Sequence, residues 1–247
     1  MRWIGLAVVL SVALMPVGAW AESDYAREKK WSDEVVPGIV VGDALFLEQR
    51  SGHKFLSIYT EATNAKASVV LVHGVGAHPD WGLIGRVRSA LPDHGYATLS
   101  VQMPVLAQAA RIEEYHSTFA EAGERLKIAT DFLRAKGYTK VAIVSHSMGS
   151  RMTHDYLTRD ANARASAWVC IGWASEDSDF RRVSIPVLDL FGENDLPSVL
   201  KGATRRAASL KHTLGSQQIK APATDHYFSN HHVELIKYVR EFLDKVF

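Results

Sequence analysis

The sequence predicts an α/β fold built on a mostly parallel sheet with helices on both faces. Two observations lead there. Short β-branched runs alternate with longer segments of helical periodicity, the pattern of strands joined by crossover helices. The runs Val69–Val72 and Val141–Val144 are apolar throughout, as strands covered on both sides must be. No internal repeat, low-complexity tract or Pro/Ser-rich linker interrupts the chain, so residues 38–247 are expected to form one domain.

Taken in order, residues 22–37 form a charged N-terminal arm, with a helix over 22–34 expected to lie on the surface. From Gly38 the β-type runs Ile39–Val41, Ala44–Leu47 and Phe55–Tyr59, parted by turn residues, suggest an antiparallel meander. Ser68–Val72 is a strand leading into the glycine-rich loop His73-Gly-Val-Gly76. Leu83–Leu91 has helical spacing and Ala97–Val101 is the next strand. Phe119, Ala122, Leu126, Ala129 and Leu133 recur at helix period over Phe119–Lys136, and Gly137 ends that helix. Strands follow at Val141–Val144, Ala167–Ile171, Pro186–Phe191 and Gln217–Ile219. Helices follow at Met148–Leu157, Val199–Leu210 and Val233–Val246.

Composition excludes several classes. The 247 residues are 47% hydrophobic and 22% charged, which is ordinary globular material. Lys+Arg is 28 against 27 for Asp+Glu, a net charge of +1, so the basic excess of a nucleic-acid binder is missing. The doublets Arg181–Arg182 and Arg205–Arg206 read as solvated surface. The single cysteine, Cys170, rules out an internal disulfide and a Cys-based zinc cluster; its apolar neighbours suggest a buried thiol.

Residues 1–21 read as a secretory signal. Arg2 supplies the positive start, Ile4–Val17 the apolar stretch and Ala19-Trp20-Ala21 the small-x-small cleavage site. The stretch is short for a bilayer span. Its removal takes away Arg2, leaving 28 − 1 = 27 basic groups against 27 acidic ones. The expected product is exported, periplasmic or secreted, with no stable membrane span. Its oligomeric state is not legible.

Ligands of parallel sheets bind at the carboxyl ends of the strands, and those loops carry the chemistry. The strand Val141–Val144 runs through Ser145-His-Ser-Met-Gly149 directly into a helix, the context of a nucleophile elbow. Residues two before and two after the nucleophile must be small; Ser145 and Gly149 satisfy this, although Ser145 stands where glycine is usual. Ser147 is then the nucleophile, placed at a helix N-terminus that favours developing negative charge. A serine needs a base, and acid and base should follow in the order Ser, acid, His. Asp195, after Pro186–Phe191, is the candidate acid, ahead of Glu193 and of Asp189 within the strand. His226, before the last helix, is the candidate base; Asp225 beside it reads as a turn residue. An oxyanion hole needs two preset N–H groups; Met148 and Val75 are the candidate donors.

With these residues the chain resembles the α/β-hydrolase superfamily. The resemblance rests on His73-Gly74, Ser145-His-Ser-Met-Gly149, Gly192-Glu-Asn-Asp195 and Asp225-His226, and it spans about residues 38–247. The blocks His78-Pro-Asp-Trp-Gly-Leu-Ile84 and Ala97–Pro104 look like an exported bacterial branch of undefined function. The resemblance implies an eight-stranded sheet and cofactor-free hydrolysis, with no metal. Fold analogy leaves the substrate open. Serine at the elbow favours acyl transfer: Ser147 attacks an ester, His226 takes its proton, Asp195 orients the imidazole, and water resolves the acyl-enzyme. The partner is thus a small ester or other acyl compound. Trp173–Ile185 is too short for a helical cap, and 103–115 is a candidate cover for the site. Trp81, Trp173 and Tyr227, with Phe228, are candidates to line the pocket. A zinc site from Asp225, His226, His231 and His232 lacks a His-Glu-x-x-His pattern. A non-catalytic binding or envelope protein on this scaffold, a peptidase and a thioesterase remain as alternatives.

Overall fold

The computed structural model describes residues 23–161 and 163–247. The signal-peptide reading of residues 1–21 lies outside the described residues. Helix α1 spans Tyr25–Val35, followed by β1 (Asp43–Glu48), β2 (Lys54–Thr60), β3 (Ala67–Val72), α2 (Gly82–Ala90), β4 (Tyr96–Val101) and α3 (Phe119–Ala135). Then come β5 (Val141–His146), α4 (Met148–Arg159), β6 (Ala167–Ile171), β7 (Val187–Asn194), α5 (Pro197–Leu210), β8 (Gln217–Asp225) and α6 (His232–Val246). The eight strands form one sheet in the order β1-β2-β4-β3-β5-β6-β7-β8. The β1–β2 and β2–β4 pairs are antiparallel and the remaining pairs are parallel.

Alternation along the strands divides the core in two. Val70, Val72, Ile143 and Trp168 face α3 and α4. Val69, Leu71, Val144 and Val169 face Leu83, Ile84 and Val87 of α2 and Leu235, Val239 and Phe242 of α6. Successive side chains of a strand point to opposite faces, so an unbroken apolar run feeds both layers. Trp168, fully buried, donates its indole N–H to Ser145 Oγ at 2.8 Å. This explains serine at the first small position of the elbow: its hydroxyl satisfies a buried donor that a glycine would leave unpaired.

Several expectations are corrected. Ile39–Val41 is not a strand. It lies between a 3-10 turn over Val36–Gly38 and Gly42 at φ +84°, and Val40 is 93% exposed. The meander is therefore a β1–β2 hairpin whose second strand pairs with β4. β8 is longer than Gln217–Ile219, because it pairs with β7 as far as Asn194↔Asp225 across a bulge. Pro222 concealed it, being tolerated on an edge strand. The N-terminal helix is not a plain surface arm: Glu28 is buried and accepts a 2.9 Å bond from fully buried Arg125 Nη1 of α3. None of 103–115 is among the described residues lining the cavity beside Ser147; Met103, Val105, Leu106 and Tyr115 are buried, and the Tyr115 hydroxyl accepts from Leu106 N. Cys170 is buried. No described helix is long and apolar enough to cross a membrane.

Arg206 is not solvated surface either. Its Nε reaches both oxygens of Asp189, at 2.8 and 3.0 Å, and both side chains are fully buried. Gln218 Nε2 donates to Asp189 Oδ2 at 2.7 Å, and Arg206 Nη1 to Val199 O at 3.0 Å. Removing one partner of a buried pair leaves an uncompensated charge. The Arg206→Met variant should lose about 3–5 kcal/mol in urea unfolding; a loss under about 1 kcal/mol would mean that Asp189 finds compensation elsewhere.

Candidate active site

The turn between β5 and α4 holds Ser147 at φ 56° and ψ −117°, a conformation that costs a non-glycine residue of order 1–3 kcal/mol and persists only where its surroundings enforce it. The neighbours do so. A Cβ on Gly149 would collide with the carbonyl oxygens of His73 and Val72, and one on Gly74 would lie 3.3 Å from both Ser147 Cβ and His146 Nδ1. The elbow and the loop after β3 approach this closely because Gly149 has no side chain, and a side chain on Gly74 would force its neighbours to give by a few tenths of an ångström.

Three strand ends bring their side chains together here. Ser147 donates its hydroxyl to His226 Nε2 at 3.0 Å. His226 Nδ1 donates to Asp195 Oδ1 at 2.6 Å. Asp195 is in turn fixed by Leu196 N on Oδ1 at 2.7 Å and Gly192 N on Oδ2 at 3.2 Å. Asp195 and His226 are buried, while Ser147 is part-exposed. Gly172, at φ +56°, passes so near the imidazole that a Cβ would stand 2.9 Å from His226 Cε1. Asp225 accepts from Tyr227 N and Ser229 N, which makes it the turn residue that leads into α6. Glu193 holds Ala223 N and Lys220 and does not touch His226.

Ser147 opens into a cavity of about 620 Å³, within the range of small-molecule sites. Its walls come from the loop after β3 with the start of α2 (His73–Val75, Ala77, Trp81–Ile84), the elbow, and the loop before α6 (His226, Tyr227, Ser229, Asn230, His232). Val75, Trp81 and Tyr227 line it, and Trp81 and Tyr227 are each 60% exposed at its rim. Met148 follows Ser147 as the first residue of α4, where its N–H has no intrahelical acceptor. Trp173 does not line this cavity. It is buried against Trp168, Phe180 and His154, at ring distances of 5.8, 5.1 and 4.7 Å, because the chain turns at Gly172 and carries the indole into the α4 side of the core. Phe228 is fully buried on the α6 side. Among the described residues, no three His, Cys, Asp or Glu side chains stand in a metal-ligating arrangement.

Two histidines matter more than the sequence indicated. His73 Nε2 accepts from Met103 N at 2.9 Å, so its proton lies on Nδ1, which donates to Gly74 O at 2.8 Å. His146 Nε2 donates to the carbonyl of His226 at 3.0 Å, with the two rings 4.7 Å apart. Burial pushes both down to about 3, the neighbouring His226 adding to the effect on His146. Both are therefore neutral hydrogen-bonding spacers around the site. Their place was visible in the two loop motifs, but nothing in the residue types alone assigned them this part.

A depressed histidine pKa makes the unfolded chain bind more protons below its own value near 6.5, so stability falls as pH drops from there toward 3. Each ring contributes up to about 1.4 kcal/mol per pH unit in that window. Urea unfolding between pH 7.5 and 5 should show a decline that is shallower for His146→Gln than for wild type by about that slope. Parallel profiles would contradict the neutral assignment.

Similarity to known proteins can be set beside this geometry. A family model described as a protein of unknown function, DUF3530, matches residues 42–124. No significant match is found among curated proteins. Dienelactone hydrolase from Anabaena variabilis ATCC 29413 is similar in structure, with 21% identity, a TM-score of 0.68, and coverage of 83% of this chain and 97% of that one. Est1E from Butyrivibrio proteoclasticus is 15% identical at a TM-score of 0.63, covering 83% and 99%. An α/β serine hydrolase without a lid, from Xanthomonas campestris, is 14% identical at 0.61, covering 84% and 95%. At such identities the likeness establishes the fold: the chain has the α/β-hydrolase fold.

Proposed function

We propose that this chain is a serine hydrolase that cleaves an uncharged carboxylic ester through an acyl-enzyme, and that it works outside the cytoplasm after removal of residues 1–21. The observation that carries the reading is the unbroken line from Ser147 Oγ through His226 to Asp195, at 3.0 and 2.6 Å, with the nucleophile held at φ 56°. Nucleophile and base within hydrogen-bond reach, the base oriented by a third group, is the arrangement that activates a serine.

In this reading Ser147 attacks the carbonyl carbon while His226 Nε2 takes its proton. Asp195 keeps the imidazole proton on Nδ1 and stabilises the imidazolium. His146, being neutral, adds no repulsion to that new charge. The amides of Val75 and Met148 receive the oxyanion, and Gly74 lets the first of them come close. The imidazolium then protonates the leaving alcohol, and His226 activates water for deacylation. Trp81, Leu83, Ile84 and Tyr227 offer an apolar cleft, and no Lys, Arg, Asp or Glu is among the described residues that line it. A charged substrate would be desolvated without a counter-charge, which favours a neutral ester. The esterase and dienelactone hydrolase character of structural neighbours agrees with this choice of bond.

The test is a fluorophosphonate probe on the mature protein, with the adduct mapped by mass spectrometry. The adduct should sit on Ser147 and vanish in Ser147→Ala. Asp195→Asn should cost about 10³–10⁴ in kcat on a 4-nitrophenyl ester by misplacing the tautomer. A folded protein without adduct would favour the non-catalytic binding reading. Amino-terminal sequencing of the exported product should begin at Glu22; an unprocessed terminus would overturn the export part.

A further inference from the structure

Helix α1 lies outside the sheet, yet it reaches the catalytic cleft by two routes. The outer route is a ladder of rings. Arg27 and Trp31 are four apart and share one flank of the helix. The Arg27 guanidinium lies 4.6 Å over the Trp31 ring, and its Nη1 donates to Leu106 O at 2.7 Å. Trp31 meets His78 at 6.1 Å and 58°, and His78 meets Trp81 edge-on at 5.6 Å and 73°. Trp81 is the residue at the cavity rim.

The inner route is polar and buried. Arg125 Nη1 binds Glu28 Oε2 at 2.9 Å and Gln102 O at 3.0 Å. Gln102 Nε2 and Met103 N both face His73 Nε2, at 3.1 and 2.9 Å. His73 opens the loop whose amides border the cavity. Both ends of the 73–81 segment are thus tied to one helix. Within that segment Val75 and Gly76 are exposed and Gly76 takes φ +64°, whereas Ala77 and Pro79 are buried, Pro79 O accepts from Ser100 Oγ at 2.6 Å and Asp80 pairs with Arg88, so the loosely held part is 75–76.

We propose that α1 backs the rim of the catalytic cleft from outside, and that Trp31 is a positioning residue which sets Trp81 and the 73–81 loop through His78. The consequence for substrate binding rests on the serine-hydrolase reading; the consequence for the loop does not. Trp81 is 60% exposed, and the ladder gives its indole a defined neighbour on the side away from the cavity. Without Trp31, His78 loses its outer neighbour and the rim loses its backing, while Ser147, His226 and Asp195 keep every bond they make.

The experiment compares Trp31→Ala and Trp31→Phe in the mature chain. Phenylalanine keeps a ring for His78; alanine does not. Hydrogen exchange across residues 74–82 should quicken several-fold in Trp31→Ala and stay near wild type in Trp31→Phe. The kcat/KM for a 4-nitrophenyl ester should fall about three- to tenfold in Trp31→Ala, and Trp31→Phe should restore it. Fluorophosphonate labelling of Ser147 should proceed in both variants. Unchanged exchange in Trp31→Ala overturns the proposal, and so does faster exchange with unchanged kcat/KM. Equal losses in both variants, with a lower unfolding midpoint, would reduce Trp31 to a stability residue and also overturn it. A wild-type chain that Ser147 labelling leaves untouched would instead sink the serine-hydrolase reading, and exchange alone would then decide whether α1 holds the loop.

Discussion

The crowding of the β3 and β5 carboxyl ends is the constraint on which the site depends. β3 and β5 are hydrogen-bonded neighbours, with Val72 opposite Ser145, and each must leave the sheet at nearly the same level. β5 does so by a turn that forces Ser147 into a left-handed conformation. β3 does so by a loop whose Gly74 rests on Ser147 and His146. The strain at Ser147 is therefore bound up with the closeness of the two exits. It lifts the hydroxyl clear of the sheet and sets the α4 amides and the loop after β3 on either side of one point. A side chain at Gly149 would press on the carbonyls of His73 and Val72 and part the two loops.

Neutral polar groups do most of the fitting around this point. His73 and His146 are buried, uncharged and each fixed in one tautomer by backbone partners. Each joins two segments that no ladder connects: His73 ties its own loop to the end of β4, and His146 ties the elbow to the loop carrying His226. A lysine or arginine could span the same gaps, but would bury a charge beside the His226 imidazole. An alkyl side chain would leave the carbonyl of His226 without that donor. Histidine held neutral by burial meets both conditions.

The parallel half of the sheet was legible because each of its strands is a short β-branched or apolar run followed by a helix with periodic apolar positions. The Ser147, Asp195 and His226 positions were legible for the same reason, since each falls just past a recognisable strand and in a usable order. What failed was the part governed by long-range pairing. Ile39–Val41 has strand composition but no strand to pair with, and Ala221–Asp225 has weak β composition yet completes β8 at the edge. Trp173 stands just beyond a strand end, as a pocket residue would, but the backbone at Gly172 turns it into the core. Arg206 and Glu28 were read as surface because their partners Asp189 and Arg125 are 17 and 97 residues away.

Those two misread residues have a common meaning. The chain buries one ion pair behind the loop that carries Asp195 and another behind the loop after β3. Arg206 and Asp189 link α5, β7 and β8 just below Asp195, and Arg206 also reaches the carbonyls of Val199 and Trp173. Arg125 and Glu28 link α1 and α3 to the Gln102 carbonyl beneath His73. A pair of apolar residues would fill each space at no desolvation cost and often with equal stability. What they would not supply is direction: a guanidinium presents donors in a fixed planar fork and fixes the angle between the segments it joins. The 3.0 and 2.6 Å contacts that align Ser147, His226 and Asp195 depend on such angles more than on packed volume. Buried charge costs stability at each of these pairs, and each supports a loop beside the site.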